Sequence, residues 1–179
     1  GYWDEKGKRV TENLSGDNSR VIMDRAIPFM RSAAQNDQPF FTIIWFHTPH
    51  LPVVAGAEYT RMYADQEKYA QHYYGCITAM DEQVGRLRME LRALGVANNT
   101  LVTFCSDNGP EGQANNAPGT AGHLGGRKRS LLEGGIRVPG LIEWPGKVRP
   151  GNTVIPAVTS DYLTTILDII GGVSYTHPT

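Results

Sequence analysis

A long helical pattern between two strongly apolar runs is the feature that most constrains the fold. Residues 39–46 read PFFTIIWF and residues 101–104 read LVTF, and such β-branched and aromatic runs are typical of buried strands. Between them, over about 65–94, apolar residues recur at the period of an amphipathic helix: Tyr73, Ile77, Met80, Val84, Leu87, Leu91 and Leu94. Strand, helix and strand predict a right-handed βαβ unit. We therefore expect an α/β fold with a mostly parallel sheet and flanking helices.

The remaining segments predict two more helices and two short strands. A helix is expected over about 20–34, capped by Asp17 or Ser19 and kinked or ended early by Pro28. A strand is expected over 140–144 and another over 154–158. Residue Ser160 is expected to cap a final helix that ends before Gly171. Residues 1–16 are polar and interrupted by glycine, so we interpret them as a loop.

Size and charge restrict the class of protein. A chain of 179 residues is of single-domain length, so we predict one domain over 1–179. The formal net charge of −1 gives no general electrostatic reason to bind nucleic acid. No apolar run is long enough for a transmembrane helix. The two cysteines, Cys76 and Cys105, form no Cys-x-x-Cys pattern and are expected to be buried thiols.

A polar motif follows the second apolar run. Asp107 and Asn108 come directly after the strand, and ligands of open α/β sheets gather at the carboxyl ends of strands. Their side-chain oxygens suit a hard cation such as Ca²⁺ or Mg²⁺, although Asp-Asn-Gly after a strand also forms ordinary turns. About twenty residues later stands the basic triplet Arg127-Lys128-Arg129. The pair of motifs suggests an anionic substrate bound beside a metal ion.

Two histidines follow the first apolar run in the same way. His47 and His50 stand in the sequence HTPHLP, directly after the strand predicted at 39–46. Polar side chains at the tip of a buried strand favour a binding or catalytic role. The alternative for each is a solvated loop histidine.

Several segments, taken in chain order, resemble the sulfatase family. The segments are PFF leading to PHLP (39–41 and 49–52), Tyr73 to Asp81 with VGR (84–86), SDNG (106–109), Lys128 with EGG (133–135) and WPG (144–146). Single segments are weak signals, but their shared order over about 20–172 is specific. The resemblance implies a partial alkaline-phosphatase-like sulfatase domain with sulfuric ester hydrolase activity.

The resemblance also implies roles for individual residues. Asp107 and Asn108 match the family's ligands for a divalent cation, usually calcium, with magnesium as the alternative. His50 and Lys128 match residues that reach the sulfate ester, and His47 would be a further pocket residue. The implied substrate is a sulfated small molecule or sugar. The implied location is outside the cytoplasm (periplasmic, extracellular or lysosomal).

The chain departs from the family pattern in ways that change the expected activity. The family's nucleophile is a formylglycine made from cysteine in a CxPSR motif, and neither Cys76 nor Cys105 stands in that context. Asp17, Asp24 and Asp37 do not match the family's early pair of metal-binding aspartates. We therefore expect the middle and later part of a catalytic domain, inactive alone. Its exposed apolar strand edges should favour a homodimer.

Two other functions fit the same residues. A phosphodiesterase or phosphonate hydrolase of the same superfamily would share the metal and basic residues. A non-catalytic remnant could bind anionic ligands through Lys128 and His50.

Overall fold

A computed structural model of the chain describes residues 1–112 and 119–172. The helices are α1 (Asn18–Gln35), α2 (Ala57–Thr60), α3 (Lys68–Ala93), α4 (Glu133–Ile136) and α5 (Asp161–Ile169), and the strands are β1 (Val102–Cys105) and β2 (Gly140–Glu143). The chain divides into two compact units, Gly1–Val148 and Arg149–Thr179. The first contains every element from α1 to β2, and the second contains α5. None of the described helices combines the length and apolarity needed to span a bilayer.

Helix α1 begins at the predicted place because Asp17 caps it. The Asp17 carboxylate accepts a 2.7 Å hydrogen bond from the Ser19 amide, which satisfies one of the unpaired donors of the first turn. The predicted early break at Pro28 is wrong, because the helix continues through it to Gln35. Pro28 lies on the exposed face. Water can therefore hydrate the carbonyl group that loses its helical donor there.

The core of the first unit lies where α1 meets α3 and the segment at 39–46. Met23, Ile27 and Met30 are buried, and the half-buried side chains packed against them include Phe40, Ile44, Phe46 and Leu87. On α3 the buried residues are Gly75, Cys76, Ala79, Gln83 and Leu91. The predicted apolar stripe of α3 is therefore mostly half-buried, with only Leu91 among its members fully buried.

Strands β1 and β2 form an antiparallel pair with Val102 opposite Glu143 and Cys105 opposite Gly140. The strand predicted at 140–144 is thus confirmed. Glu143 also fastens the pair to α3, because its carboxylate accepts hydrogen bonds of 2.6 and 3.0 Å from the Arg88 guanidinium. A third bond, of 3.3 Å, comes from Arg92.

Residues 39–46 run without helix or strand pairing in the described structure, so the predicted strand and its parallel βαβ pairing are not formed. Burial nevertheless alternates as in a strand: Phe40, Ile44 and Phe46 face the core. Phe41, Ile43 and Trp45 are 65, 63 and 83% exposed. The segment has a strand's side-chain pattern, but no described strand lies beside it to accept its backbone hydrogen bonds. The α/β class itself is confirmed.

The second unit carries the last predicted helix as α5. Ser160 is the N-cap residue as predicted, but its side chain makes no capping bond. The Asp161 carboxylate instead accepts a 2.8 Å bond from the Val158 amide, which ties the approach of the chain to the first turn. Residues 154–158 form no strand and are exposed.

Candidate functional site

Backbone hydrogen bonds join the segment that contains Asp107 and Asn108 to the segment that follows Lys128. The Gly109 amide donates to the Gly135 carbonyl at 2.8 Å, and the Lys128 amide donates to the Pro110 carbonyl at 3.0 Å. The two motifs are far apart in sequence, yet they form one continuous structure.

Glycine is required where these segments meet. A Cβ atom built on Gly109 would lie 1.9 Å from the Gly134 carbonyl oxygen, and one built on Gly134 would lie 2.2 Å from the Gly126 carbonyl oxygen. Both residues are buried. The glycines of the two motifs are therefore explained by direct backbone packing between the segments.

Asp107 and Asn108 carry oxygen atoms suited to a hard cation. Asp107 is exposed, and the Asn108 amide nitrogen donates to the Gly109 carbonyl at 2.9 Å. Calcium takes six to eight oxygen ligands. Among the described residues no group of three His, Cys, Asp or Glu side chains could hold a metal. The two side chains offer the kind of oxygen atom that such an ion prefers, but they are too few to complete its coordination.

Lys128 lies in a charged cluster that sequence reasoning missed in part. Its ammonium nitrogen is 3.6 Å from one Glu111 carboxylate oxygen, and the Arg129 guanidinium is 2.5 Å from the other. The hydrogen bond from Arg129 is the main reason that the pKa of Glu111 is lowered. Nothing local in the sequence indicates this contact, because Glu111 and Arg129 are 18 residues apart.

The Arg127 side chain bonds to backbone carbonyl groups. One of its guanidinium nitrogens donates to the carbonyl oxygens of Glu111 and Gly119, at 2.9 and 2.7 Å. Lys128 and Arg129 differ in exposure as well, with side chains 23 and 74% exposed. Within the triplet, Arg127 and Lys128 are half-buried and Arg129 is exposed, and the Lys128 amide is bonded to the Pro110 carbonyl.

His47 and His50 lie together in a separate cavity. Their rings pack edge to face with centroids 5.1 Å apart. The Nδ1 atom of His50 is 2.9 Å from the Leu51 carbonyl oxygen. A carbonyl can only accept, so Nδ1 carries the proton and Nε2 is the nitrogen left for other partners. The cavity, of about 380 Å³, is also lined by Asp17 and Cys76.

The structure therefore gives two groups of predicted site residues. Asp107, Asn108 and Lys128 belong to one, and none of them lines the histidine cavity. His47 and His50 form the other.

The cysteines differ from each other. Cys76 is buried as predicted, with its thiol donating to the Tyr73 carbonyl at 3.2 Å, and burial raises its pKa to about 11. A thiol held protonated in this way is a poor nucleophile. Cys105 is exposed, which corrects the prediction that both are buried. It lies on the solvent side of β1, where burial alternates along the strand.

A family model described as Sulfatase matches residues 2–173. The chain belongs to the sulfatase family. Among curated relatives, human Arylsulfatase A is 34% identical over 143 residues, which cover 79% of this chain and 27% of that protein. A "Sulfatase" of Formosa agariphila is 31% identical over 167 residues, covering 84% of this chain and 29% of the relative. This sulfatase chain thus spans less than a third of the length of these relatives.

Solved structures agree with the family assignment. The structure titled "Ps i-CgsB in complex with k-i-k-neocarrahexaose" superposes with a TM-score of 0.86 at 30% identity, covering 94% of this chain and 37% of the other. The "putative sulfatase yidJ" of Bacteroides fragilis, at 23% identity and a TM-score of 0.77 over 95% of this chain and 40% of its own, shares the fold. The chain is therefore a partial α/β domain of the sulfatase type.

Proposed function

We propose that this chain supplies part of the active site of a sulfuric ester hydrolase. The observation that carries the proposal is the backbone connection between the Asp107 segment and the Lys128 segment through Gly109, Gly135 and Pro110. It supports the proposal because it joins the backbone that carries the Asp107 and Asn108 oxygens to the backbone that carries the Lys128 ammonium. An anionic ester group bound beside a metal ion needs this combination.

Lys128 and His50 have distinct roles in the proposal. As the S–O bond breaks, negative charge builds on the leaving oxygen and is shared with the sulfuryl oxygens. The Lys128 ammonium stabilises the sulfuryl oxygens by charge-assisted hydrogen bonding. His50 lines the separate histidine cavity, and its proposed role comes from its match to the histidine of the family's PHxP segment. With its Nδ1 bonded to the Leu51 carbonyl, it would give a proton from Nε2 to the leaving oxygen when doubly protonated. His47 would contact substrate as a further pocket residue.

Asp107 and Asn108 would hold the divalent cation, Ca²⁺ or alternatively Mg²⁺. When bound, such an ion polarises the sulfuryl oxygens as a Lewis acid. The remaining ligands would be water or oxygens from outside the two residues, because two side chains are too few for calcium.

The chain alone is proposed to be inactive as a hydrolase. Neither Cys76 nor Cys105 stands in the CxPSR context in which the family forms its formylglycine nucleophile. Cys76 cannot replace this nucleophile, because burial raises the pKa of its thiol and keeps it protonated.

A sulfated sugar is the substrate class that we propose. Support comes from the neighbour at 30% identity whose title names a bound neocarrahexaose, a hexaose by its name. The relatives in these comparisons are named as sulfatases, which does not favour a phosphodiesterase or phosphonate hydrolase. Export from the cytoplasm is proposed from the family alone.

Binding and turnover measurements on the purified chain test these assignments. We expect calorimetry to show that inorganic sulfate or nitrophenyl sulfate binds, and that Lys128→Ala weakens binding about tenfold or more because a charge-assisted bond is lost. Lys147→Ala, which removes a lysine stacked over Trp144, is the matched control and should leave binding unchanged. Equal losses in both variants would argue against the site. Metal-dependent release of nitrophenol would show that the isolated chain is active after all.

A further inference from the structure

Two hydrogen bonds join the loop that carries Lys128 to the backbone of residues 110 and 111. The Lys128 amide bonds to the Pro110 carbonyl at 3.0 Å, and Arg127 donates to the Glu111 carbonyl at 2.9 Å. The backbone of Glu111 is therefore fixed relative to the basic triplet. From this backbone the Glu111 carboxylate extends to within 3.6 Å of the Lys128 ammonium.

The two carboxylate oxygens of Glu111 face different cations. One contacts Arg129 at 2.5 Å, within hydrogen-bond range, and the other lies 3.6 Å from the Lys128 nitrogen, beyond that range. Arg129 thus holds the carboxylate through a hydrogen bond, whereas Lys128 is attracted to it by charge without a hydrogen bond. An ammonium held by charge, with its hydrogen-bond donors uncommitted to this carboxylate, remains able to donate to an incoming anion.

The side chains also differ in how freely they move without Glu111. Lysine has a flexible four-carbon stem and many rotamers, and the Lys128 side chain is only 23% exposed. Loss of the carboxylate would remove the charge that selects among these rotamers. The ammonium would then sample a wider set of positions.

We propose that Glu111 is a positioning residue for Lys128, with Arg129 holding its carboxylate in place. This inference rests on the proposed anion-binding role of Lys128. Glu111 itself contacts no substrate in the proposal; it acts by keeping the ammonium where a sulfate group would meet it.

Acylation of lysines in the full chain tests this directly. The purified protein is treated briefly with an acetylating N-hydroxysuccinimide ester, and mass spectrometry compares labelling of Lys128 with that of Lys147. Glu111→Gln should raise the relative labelling of Lys128 about two- to fivefold, the range expected for loss of one exposed ion pair. Glu111→Asp keeps the charge and should restore most of the protection. Glu90→Gln, which removes the carboxylate paired with Arg31 at 2.8 Å, is the matched control and should change nothing at Lys128.

Inorganic sulfate separates this inference from the function on which it rests. Sulfate should protect Lys128 from acylation in the unaltered chain, and at lower sulfate concentration than in Glu111→Gln. If sulfate protects equally well in both proteins and Glu111→Gln leaves Lys128 labelling unchanged, the positioning role is overturned while anion binding stands. If sulfate fails to protect Lys128 in the unaltered chain, the anion-binding role fails, and the role of Glu111 fails with it.

Discussion

The Gly109 amide donates a 2.8 Å hydrogen bond to the Gly135 carbonyl oxygen, so the glycine of SDNG is bonded to the last glycine of EGG. The intervening packing leaves no space for a side chain, because a Cβ on Gly109 would approach the Gly134 carbonyl oxygen to 1.9 Å. This contact brings together two motifs that are more than twenty residues apart in the sequence. It also makes Gly109 a position where the site can be disrupted without touching a charged group.

Gly109→Ala should destabilise the chain by about 3 kcal/mol, because backbone atoms must move to admit the methyl group. Gly85→Ala is the matched control, since a Cβ at this position in α3 would meet nothing within 4 Å. That change should stabilise by about 1 kcal/mol through helix propensity. Urea unfolding monitored by circular dichroism measures both values. An unfolding free energy for Gly109→Ala equal to that of the unaltered protein would show that the two segments are not packed as described.

Arg129 occupies a backbone conformation that favours glycine, with φ of 74°. Arg129→Gly and Arg129→Ala both remove the contact with Glu111, so the difference between them reports the backbone alone. Because the Cβ of alanine is sterically disfavoured in the left-handed region and glycine has none, we expect the glycine variant to be more stable by about 1 kcal/mol. Denaturant titration of the pair measures this difference, and an alanine variant as stable as the glycine variant would contradict it.

The helices could be predicted closely because their signals are local. The apolar period and Asp17 locate α1 within two residues of its observed start, at Asn18. For α3, the period predicts a helix over about 65–94 and the structure has Lys68–Ala93. The orientation of α3 was less predictable. Its buried face contains the small residues Gly75 and Ala79, which carry little apolar signal. A Cβ on Gly75 would lie 3.1 Å from the Tyr59 Cβ of α2, so glycine allows α2 to approach closely there.

Contacts between distant segments could not be read from the sequence. The pairing of β1 with β2 and the ion pair between Glu111 and Arg129 depend on the path of the chain between these segments. No periodic sequence pattern predicts that path. The residue types of the Asp107 and Lys128 motifs and the family resemblance suggested that they act together, but the backbone bonds that join them were not indicated by the sequence. At 39–46 the apolar run predicted a buried strand, but only the face with Phe40, Ile44 and Phe46 lies against the core. Strand pairing depends on a neighbour that local sequence does not supply.

Asp24 should make stability depend on pH at the acid end. Its carboxylate accepts hydrogen bonds from Asn13 at 2.8 Å, from Arg20 at 2.6 Å and from Arg86, so it ties α1 to the VGR segment of α3. The bond from Asn13, then that from Arg86, lowers the pKa of Asp24. A lowered folded-state pKa means that the unfolded chain takes up the proton more readily. The stabilisation is therefore complete above about pH 4, the ordinary range of an aspartate pKa, and is lost as pH falls further.

Asp24→Asn isolates this contribution. The difference in free energy of unfolding between the unaltered chain and Asp24→Asn should be largest near neutral pH and should shrink below about pH 4. Asp65→Asn, at an exposed carboxylate, is the control and should leave the pH dependence unchanged. A difference that stays constant from pH 7 to pH 3 would show that Asp24 is not stabilised as an anion.

The exposed face of residues 39–46 should drive self-association. Phe41, Ile43 and Trp45 project from one side of an extended segment and are 65, 63 and 83% exposed. Unpaired strand edges with apolar side chains readily pair with another chain, and a lysine placed on such an edge opposes pairing. Trp45→Lys should therefore weaken association at least tenfold, since it replaces a large apolar contact by a charge. Sedimentation velocity over a concentration series measures the effect.

Trp3→Lys alters a tryptophan that is 63% exposed outside this segment and should not change the association constant. A concentration-independent monomer for the unaltered chain, or an equal effect of both lysine variants, would exclude residues 39–46 as the interface.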